Sequence, residues 1–189
     1  MQVKLINKPT LEFVDNALGL CWNKGCYSNP IDRDNRIKKN ALKLKHQSVL
    51  EFATFIFDIE ASTKVLLEMS RHRVSSYACK SSRYTLNRSE LVFEPTKDAE
   101  IDEALSHYKK IVLGFIESGK SNEVTSLMLP QAYQYKWTAQ FNARSLQNFF
   151  NLRRAKSAHF QIREVAEAMY DCIPDDMKYL FDDLSVDED

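Results

Sequence analysis

The segment at residues 71–85, RHRVSSYACKSSRYT, combines guanidinium, hydroxyl, thiol and imidazole groups and contains few apolar side chains. Guanidinium groups bind phosphate oxygens in bidentate fashion, and serine hydroxyls can donate to the same oxygens. A single arginine is most often a solvated surface charge. Three arginines and one histidine so close in the sequence instead predict a binding site for an anionic ligand. They are Arg71, His72, Arg73 and Arg83.

Two other segments carry side chains of the same kind. KHQSVLEF contributes His46, Ser48 and Glu51, and NARSLQNFFNLR contributes Asn142, Arg144, Asn148, Asn151 and Arg153. Asparagine is a weak helix former, so its repeated use at helical spacing indicates capping or contact with a ligand. Amide groups pair with the polar edges of ring systems, whereas arginines pair with phosphate. The three segments together predict a ligand that contains both a phosphate and a heterocycle.

The charge balance and the missing motifs exclude several function classes. Lys and Arg number 26, as do Asp and Glu, so no overall field steers the protein toward nucleic acid or a membrane. The common dinucleotide, phosphate-loop, zinc-protease and serine-hydrolase motifs are missing. The four histidines are widely spaced, so we expect no metal site. Any cofactor must therefore be held in a less common way.

Length and cysteine usage predict a single cytosolic domain. A chain of 189 residues can bury a core of its own, and we expect residues 1–189 to form one domain. Four cysteines without C-x-x-C spacing are typical of a reduced compartment, and the N-terminus lacks an apolar core of signal-peptide type. The apolar runs are too short for a bilayer, which needs about 20 residues.

Hydrophobic periodicity predicts an α+β fold. Alternation predicts strands around Val3 and Leu5, in FATFIFDI with Phe55 and Phe57 on one face, near residues 91–93, and at YKWTAQF. Helical spacing predicts seven helices. In chain order, the first starts at Thr10, the second spans residues 32–45, the third follows Ser62 or Thr63, the fourth spans 101–115, the fifth starts at residue 121 or 122, the sixth ends at Arg153 and Arg154, and the seventh spans 162–169. Strands and helices do not alternate regularly, which favours a mainly antiparallel central sheet flanked by helices.

The three donor-rich segments resemble those of one enzyme family. Arg71-His72-Arg73, seven residues and then Ser81 resembles the signature of the flavin-dependent thymidylate synthases. KHQSVLEF is similar to that family's first cofactor segment, and NARSLQNFFNLR is similar to its second. The likeness extends from about the first strand to the last helix, so it covers nearly the whole chain.

The resemblance implies a fold, a reaction and an assembly. These enzymes methylate dUMP to dTMP, take the one-carbon unit from methylenetetrahydrofolate, and use FAD reduced by NADPH as the hydride source. They share the thymidylate synthase-complementing fold and form homotetramers with active sites at subunit interfaces. The resemblance implies neither nucleic acid nor a membrane as a partner. The absence of a G-x-G-x-x-G motif agrees with it, because this family holds FAD through other side chains.

The resemblance also implies roles for individual residues. The expected FAD contacts are His46, Ser48, Arg71, His72, Arg73, Asn142, Arg144 and Asn148. The expected dUMP contacts are Glu68, Arg71, Lys80, Ser81, Arg83 and Arg153. Arg153 is the expected catalytic residue, because a guanidinium beside the uracil ring can stabilise negative charge on it.

Several positions depart from the family pattern. Ala78-Cys79-Lys80 occupies the place where the family carries Asn-Glu before the motif serine, and Ser126 aligns with an arginine that binds the dUMP phosphate. Glu68 aligns with a glutamine and Ser157 with a histidine. We expect no nucleophilic role for Cys79. Two alternatives stay open at this point: a non-enzymatic module that binds RNA or a nucleotide, and an inactive relative.

Overall fold

The computed structural model describes residues 1–27 and 29–182, and within them four strands form one antiparallel sheet. The strands are β1 (Gln2–Asn7), β2 (Thr54–Ser62), β3 (Ser75–Cys79) and β4 (Gln134–Asn142). Their order is β1-β2-β4-β3, so β2 and β4 are central and β1 and β3 are edges. The predicted α+β class with an antiparallel sheet is confirmed.

The inward face of the two central strands forms the middle of the core. Phe55, Phe57 and Ile59 of β2 are fully buried, as are Ala139 and Phe141 of β4. This is the face that alternation predicts. Each large side chain buried in this way contributes about 1.5–3 kcal/mol of transfer free energy. The two central strands, β2 and β4, therefore hold the sheet in the core.

Helices and short helical turns connect and cover the strands. The α-helices are α1 (Glu12–Cys21), α2 (Pro30–Ile37), α3 (Thr63–Met69), α4 (Ser82–Thr85), α5 (Ala99–Glu117), α6 (Asn122–Thr125), α7 (Ala143–Arg153), α8 (Phe160–Asp171) and α9 (Asp175–Lys178). A π-helix spans Lys38–Lys43, and 3-10 helices span Gln47–Phe52, Leu86–Arg88 and Ser126–Met128. No helix in the described residues is both long and apolar enough to cross a membrane.

The predicted elements are mostly present, with several differences. The helix predicted across residues 32–45 is divided into α2 and the π-helix Lys38–Lys43. The N-cap position of helix α1 is Leu11, one residue later than the predicted start at Thr10. The strand-like interpretation of residues 91–93 is only partly correct, because Phe93 forms a single isolated bridge with Tyr133. Strand β3 lies inside the donor-rich segment, where no strand is predicted.

Each central strand runs directly into a helix that its last residue caps. Ser62 ends β2 and accepts a hydrogen bond from the Val65 amide at 3.3 Å, and Asn142 ends β4 and accepts one from the Ser145 amide at 2.8 Å. Because β2 and β4 are antiparallel, α3 and α7 begin at opposite ends of a strand pair about 30 Å long. Their lengths of about 10 and 17 Å cover most of that distance, and the Arg153 side chain at the end of α7 reaches Glu68 of α3. The candidate functional site lies where these two ends meet.

Candidate functional site

A cleft of about 750 Å³ opens where α3, α7 and the start of β3 meet. It contains Arg71, His72, Arg73, Arg144, Asn148 and Arg153, which come from two of the three donor-rich segments. The remaining lining residues are Glu51, Val74, Ser145 and Leu152. The fold thus brings together residues that are about seventy positions or more apart in the chain.

Arg153 lies at the inner side of the cleft and is held by three hydrogen bonds. Its Nε donates to Nε2 of His72 at 3.1 Å, and its two terminal nitrogens donate to a carboxylate oxygen and the backbone oxygen of Glu68 at 3.1 and 3.2 Å. A guanidinium carries five N–H groups. Two of them, one on each terminal nitrogen, form no hydrogen bond with any residue that the structure describes.

Glu68 supplies the negative charge that fixes Arg153. Its side chain is 14% exposed and Arg153's is 18% exposed, so water screens this ion pair only partly. The carboxylate also accepts an ion pair from Lys64 at 3.2 Å, one turn earlier on α3. The structure therefore puts the expected dUMP contact Glu68 behind Arg153 and outside the lining of the cleft.

His72 is a neutral acceptor in this cluster. Burial and the neighbouring charge of Arg153 lower its pKa from 6.5 to about 4, and its ring packs edge-on against Phe149 at 5.0 Å. Because Nε2 accepts from Arg153, the ring proton belongs on Nδ1. The His72 carbonyl accepts from the Ser75 hydroxyl, which fixes the turn into β3. A neutral imidazole leaves the positive charge on Arg153 alone.

The outer part of the cleft is cationic and accessible. Arg71 and Arg73 are exposed. Arg144 pairs with Glu51 at 2.8 Å, and both side chains are about half exposed, which limits the pair to about 0.2–1 kcal/mol. An anionic ligand can replace Glu51 as the partner of Arg144 at little cost. Asn148 adds amide donors one helical turn further along α7.

Three expected FAD contacts lie outside this lining. The Asn142 side chain caps α7, so capping accounts for its unfavourable position in the sequence. His46 and Ser48 are exposed at the 3-10 helix Gln47–Phe52, and the His46 ring meets Trp22 edge-on at 5.5 Å.

The other expected dUMP contacts lie beyond the far end of β3. Lys80 and Ser81 follow this strand, whereas Arg73 precedes it, and five residues of strand separate the two ends by about 13 Å. Arg83 is exposed and lies 3.5 Å from Glu123. Within one chain, these side chains therefore do not join Arg153 in the cleft.

Cys79, Ser126 and Ser157, which depart from the family pattern, lie outside the lining of the cleft. Cys79 is exposed at the end of β3, and partial burial of the thiol raises its pKa. The Ser126 hydroxyl donates to the backbone oxygen of Glu123 at 3.1 Å, and Ser157 is exposed. A thiol with a raised pKa is mostly protonated at neutral pH and is a poor nucleophile.

Sequence reasoning missed part of the lining. Ser145 and Leu152 lie on the same face of α7 as Asn148, at spacings of three and four residues, so the helical period could have identified them. Val74 carries no such signal, because only the turn into β3 brings it to the cleft. The described residues contain no cluster of His, Cys, Asp and Glu that could hold a metal ion.

The chain matches known proteins over nearly its whole length. A family model described as "Thymidylate synthase complementing protein" matches residues 7–176. The flavin-dependent thymidylate synthase of Wolinella succinogenes is 31% identical over 96% of this chain and 97% of its own length. Its counterpart from Campylobacter jejuni is also 31% identical, over 96% of both chains.

Solved structures share the same fold. A crystal structure of thymidylate synthase X from Helicobacter pylori with FAD and dUMP superposes with a TM-score of 0.88. The two sequences are 27% identical, and the superposition covers 97% of this chain and 99% of that one. A second structure of the Helicobacter pylori enzyme, complexed with FAD and dUMP, superposes with a TM-score of 0.86.

Proposed function

Because this chain belongs to the flavin-dependent thymidylate synthase family, we propose that it methylates dUMP to dTMP with methylenetetrahydrofolate as the one-carbon donor. FAD reduced by NADPH supplies the hydride. The observation that carries the proposal is the cleft in which Arg153, held by Glu68 and His72, faces a cationic and amide-rich outer rim. The solved relatives with FAD and dUMP support the same pair of ligands.

The donor set of the cleft fits FAD. Arg71, Arg73 and Arg144 offer bidentate donors for phosphate oxygens, and Asn148 offers an amide for a ring edge. A volume of about 750 Å³ lies within the usual range of cofactor sites, about 300–1,000 Å³. We assign these residues, with His72, to FAD, and we assign His46, Ser48 and Asn142 to the same cofactor on the family resemblance.

Arg153 activates the uracil ring in this proposal. Its two remaining N–H groups can donate to a carbonyl oxygen of the ring and stabilise negative charge there, which makes the ring carbon nucleophilic. That carbon bonds to the methylene group, and the bond from the methylene to a folate nitrogen breaks with its electron pair left on the nitrogen. Glu68 and His72 fix the guanidinium before the ligand arrives, so little reorganisation is required. Neutral His72 adds no second charge that would repel Arg153.

A second subunit completes the site in this proposal. Lys80, Ser81 and Arg83 lie beyond β3 from the cleft, which supports a dUMP site built from two chains. A homotetramer with active sites at subunit interfaces meets this requirement. We also propose that residues 1–189 form one domain and that the enzyme is cytoplasmic, where its four free cysteines stay reduced.

Product formation tests the proposal directly. The purified protein is incubated with dUMP, methylenetetrahydrofolate and NADPH, with and without FAD, and dTMP is quantified by chromatography. We expect dTMP only with FAD, together with oxidised-flavin absorption bands in the isolated protein. A protein that takes up FAD and dUMP but forms no dTMP, where a reference enzyme does, would be an inactive relative. A colourless protein that never binds FAD would exclude a flavin enzyme.

A further inference from the structure

A second cleft, of about 550 Å³, lies between the loop that follows α1 and the helical segment at residues 30–43. It shares no lining residue with the first cleft. Nothing in the proposed chemistry at Arg153 uses it. The lining residues that matter here are Trp22, Lys24, Tyr27, Asp32, Arg36 and Lys39.

A buried ion pair builds one wall of this cleft. Asp15 is fully buried and accepts hydrogen bonds from Nε of Arg36 and the backbone amide of Tyr27, both at 2.7 Å. Arg36 also donates to the backbone oxygen of Gly25 at 3.1 Å, and its guanidinium lies 4.7 Å from the centre of the Tyr27 ring. These contacts tie the loop to both α1 and α2.

The backbone around the cleft is unusual on both sides. Asn23 in the loop and Lys45 after the π-helix have φ angles of 50° and 61°, in the left-handed region. The π-helix Lys38–Lys43 contributes Lys39 to the lining. Left-handed residues and π-helical turns are both frequent at functional sites. The cleft is therefore defined by specific contacts and backbone geometry on both of its walls.

The accessible chemistry of the cleft is aromatic and cationic. Trp22 and Tyr27 are 44% and 46% exposed, so their rings can stack with a ligand. Lys24 and Lys39 are exposed, and neither forms an ion pair with any residue in the described part of the chain. Arg36 already forms an ion pair with Asp15. Even with the carboxylate of Asp32 in the lining, this combination suits an aromatic ring that carries carboxylates.

The 3-10 helix Gln47–Phe52 connects this cleft to the first one. His46, just before the helix, contacts Trp22 of the second cleft, and Glu51, near its end, lines the first. Five residues at the 3-10 rise span about 10 Å. An elongated ligand can therefore reach from one cleft to the other.

We propose that the second cleft binds the benzoyl-glutamate end of the folate substrate. The aromatic ring stacks on Trp22 or Tyr27, and the glutamate carboxylates pair with Lys24 and Lys39. This assignment rests on the proposed function, because folate is a substrate only if dUMP is methylated from methylenetetrahydrofolate. Folates with more glutamate residues carry more carboxylates, so the affinity rises with the length of the glutamate chain.

Calorimetric titration tests the assignment without turnover. Protein loaded with FAD and dUMP is titrated with 5-methyltetrahydrofolate, which carries no methylene to transfer, in its monoglutamate and triglutamate forms. We expect the wild type to bind the triglutamate form more tightly. The double variant Lys24→Ala/Lys39→Ala loses two exposed charge pairs, so its triglutamate Kd should rise by about two- to thirtyfold and its preference for the longer chain should shrink.

Two further variants separate stacking from charge. Trp22→Ala should weaken both folate forms by a similar factor, because both carry the same aromatic ring, and Trp22→Phe should restore most of the affinity. The double variant Lys4→Ala/Lys110→Ala removes two exposed lysines that line neither cleft and should bind both folates as the wild type does. Thermal melting checks that all variants are folded.

Three outcomes would overturn the assignment. An unchanged preference for the triglutamate form in Lys24→Ala/Lys39→Ala excludes the two lysines as its partners. A loss of FAD affinity in that variant, with folate affinity unchanged, would assign the cleft to the cofactor. If the wild type forms dTMP and the double variant gives either of these two results, only the assignment of the second cleft fails. If the wild type neither forms dTMP nor binds either folate, the proposed function fails with it.

Discussion

Arg153 shows how a residue can be fixed by the protein and still keep hydrogen-bond donors for a ligand. Three of its N–H groups bind Glu68 and His72, which determine the plane of the guanidinium. The two others remain as donors on a residue that lines the cleft. Lysine could not replace it, since an ammonium group carries three donors and has no plane to fix.

Arg153→Ala should abolish most activity without unfolding the protein. Glu68 keeps Lys64 as a partner at 3.2 Å, so the substitution does not leave a carboxylate unpaired. Loss of a charge-assisted contact of about 1.5–3 kcal/mol corresponds to a roughly ten- to hundredfold loss in kcat/KM. Steady-state kinetics with dUMP measure the loss, and flavin absorption and thermal melting report on the fold.

Arg154→Ala is the matched control for Arg153→Ala. The neighbouring Arg154 pairs with Glu167 at 3.0 Å and lies over the Tyr170 ring at 4.1 Å, outside the cleft. Its loss should reduce stability slightly and leave kcat/KM near the wild-type value. Equal kinetic losses in both variants, or unfolding of Arg153→Ala, would assign Arg153 a structural role.

His72 should make the protein less stable as the pH falls from about 6.5 to about 4. Its folded-state pKa of about 4 lies below the usual value of 6.5, so the unfolded chain binds the extra proton first. Between these values the free energy of unfolding falls by at most about 1.4 kcal/mol per pH unit, and below about pH 4 this loss levels off. Urea denaturation at pH 7, 6, 5 and 4 measures it.

His72→Gln isolates this effect, because glutamine can still accept from Arg153 but does not titrate in this range. The stability difference between the two proteins should change across the window from pH 6.5 to 4 and be constant above it. A constant difference at every pH would show that folding does not change the pKa of His72.

Cys79→Ser should retain substantial dTMP synthesis. Partial burial raises the pKa of the Cys79 thiol, so the thiolate fraction at neutral pH is small. In the proposed reaction, the hydride from the flavin and the charge on Arg153 make a covalent adduct unnecessary. An assay of dTMP formation measures the activity, and mass spectrometry searches for adducts at Cys79 and Ser81. An inactive variant that still binds FAD and dUMP, with an adduct trapped on wild-type Cys79, would reverse this interpretation.

At the scale of elements, the sequence predicts a helix or strand best where buried side chains recur at the regular spacing of that element. The alternation in FATFIFDI identifies β2, and Ser62 before Val65 identifies the cap of α3. Strand β3 was missed because its residues, SSYAC, offer only Tyr77 as a large inward side chain, and pairing with β4 alone defines it. The meeting of Glu68 with Arg153 was missed for a related reason. It depends on the lengths of two helices and two strands, which no local pattern encodes.

Two glycines in helices should respond to alanine in opposite directions. A Cβ at Gly19 of α1 would lie far inside van der Waals contact with the backbone oxygen of Lys24, and a backbone atom cannot move aside cheaply. Overpacking of this kind costs about 1–3 kcal/mol. A Cβ at Gly114 of α5 would meet nothing within 4 Å, so Gly114→Ala should stabilise the protein by about 0.5–1 kcal/mol.

Urea denaturation of the two variants measures both free energies of unfolding. Because the loop that contacts Gly19 also forms the second cleft, Gly19→Ala should raise the folate Kd as well, whereas Gly114→Ala should leave it unchanged. Equal stability of the two variants would mean that the loop can move away from α1 without cost.

At the scale of the whole molecule, cofactor binding should be coupled to assembly. The expected dUMP contacts Lys80, Ser81 and Arg83 lie beyond β3 from the cleft, so under the proposed function a second chain completes the site. FAD at a hundred times its Kd stabilises the protein that binds it by about 2.7 kcal/mol. For a chain of this size, this corresponds to a rise in Tm of roughly 2–4 °C for each kcal/mol.

Analytical ultracentrifugation and thermal melting with increasing FAD measure the two effects together. The assembled fraction and the Tm should rise over the same range of FAD concentration. A monomer that binds FAD with full affinity would contradict a shared site.

The pairing of β2 with β4 also determines how the chain must fold. Every one of its nine register pairs joins residues about seventy to ninety positions apart, from Ser62 with Gln134 to Thr54 with Asn142. A large loop must therefore close before the centre of the sheet exists, and such non-local pairing slows folding relative to proteins built from local contacts. During synthesis on the ribosome, β2 emerges long before β4. Until then, its apolar face and one unpaired edge make the nascent chain a substrate for chaperones and for aggregation.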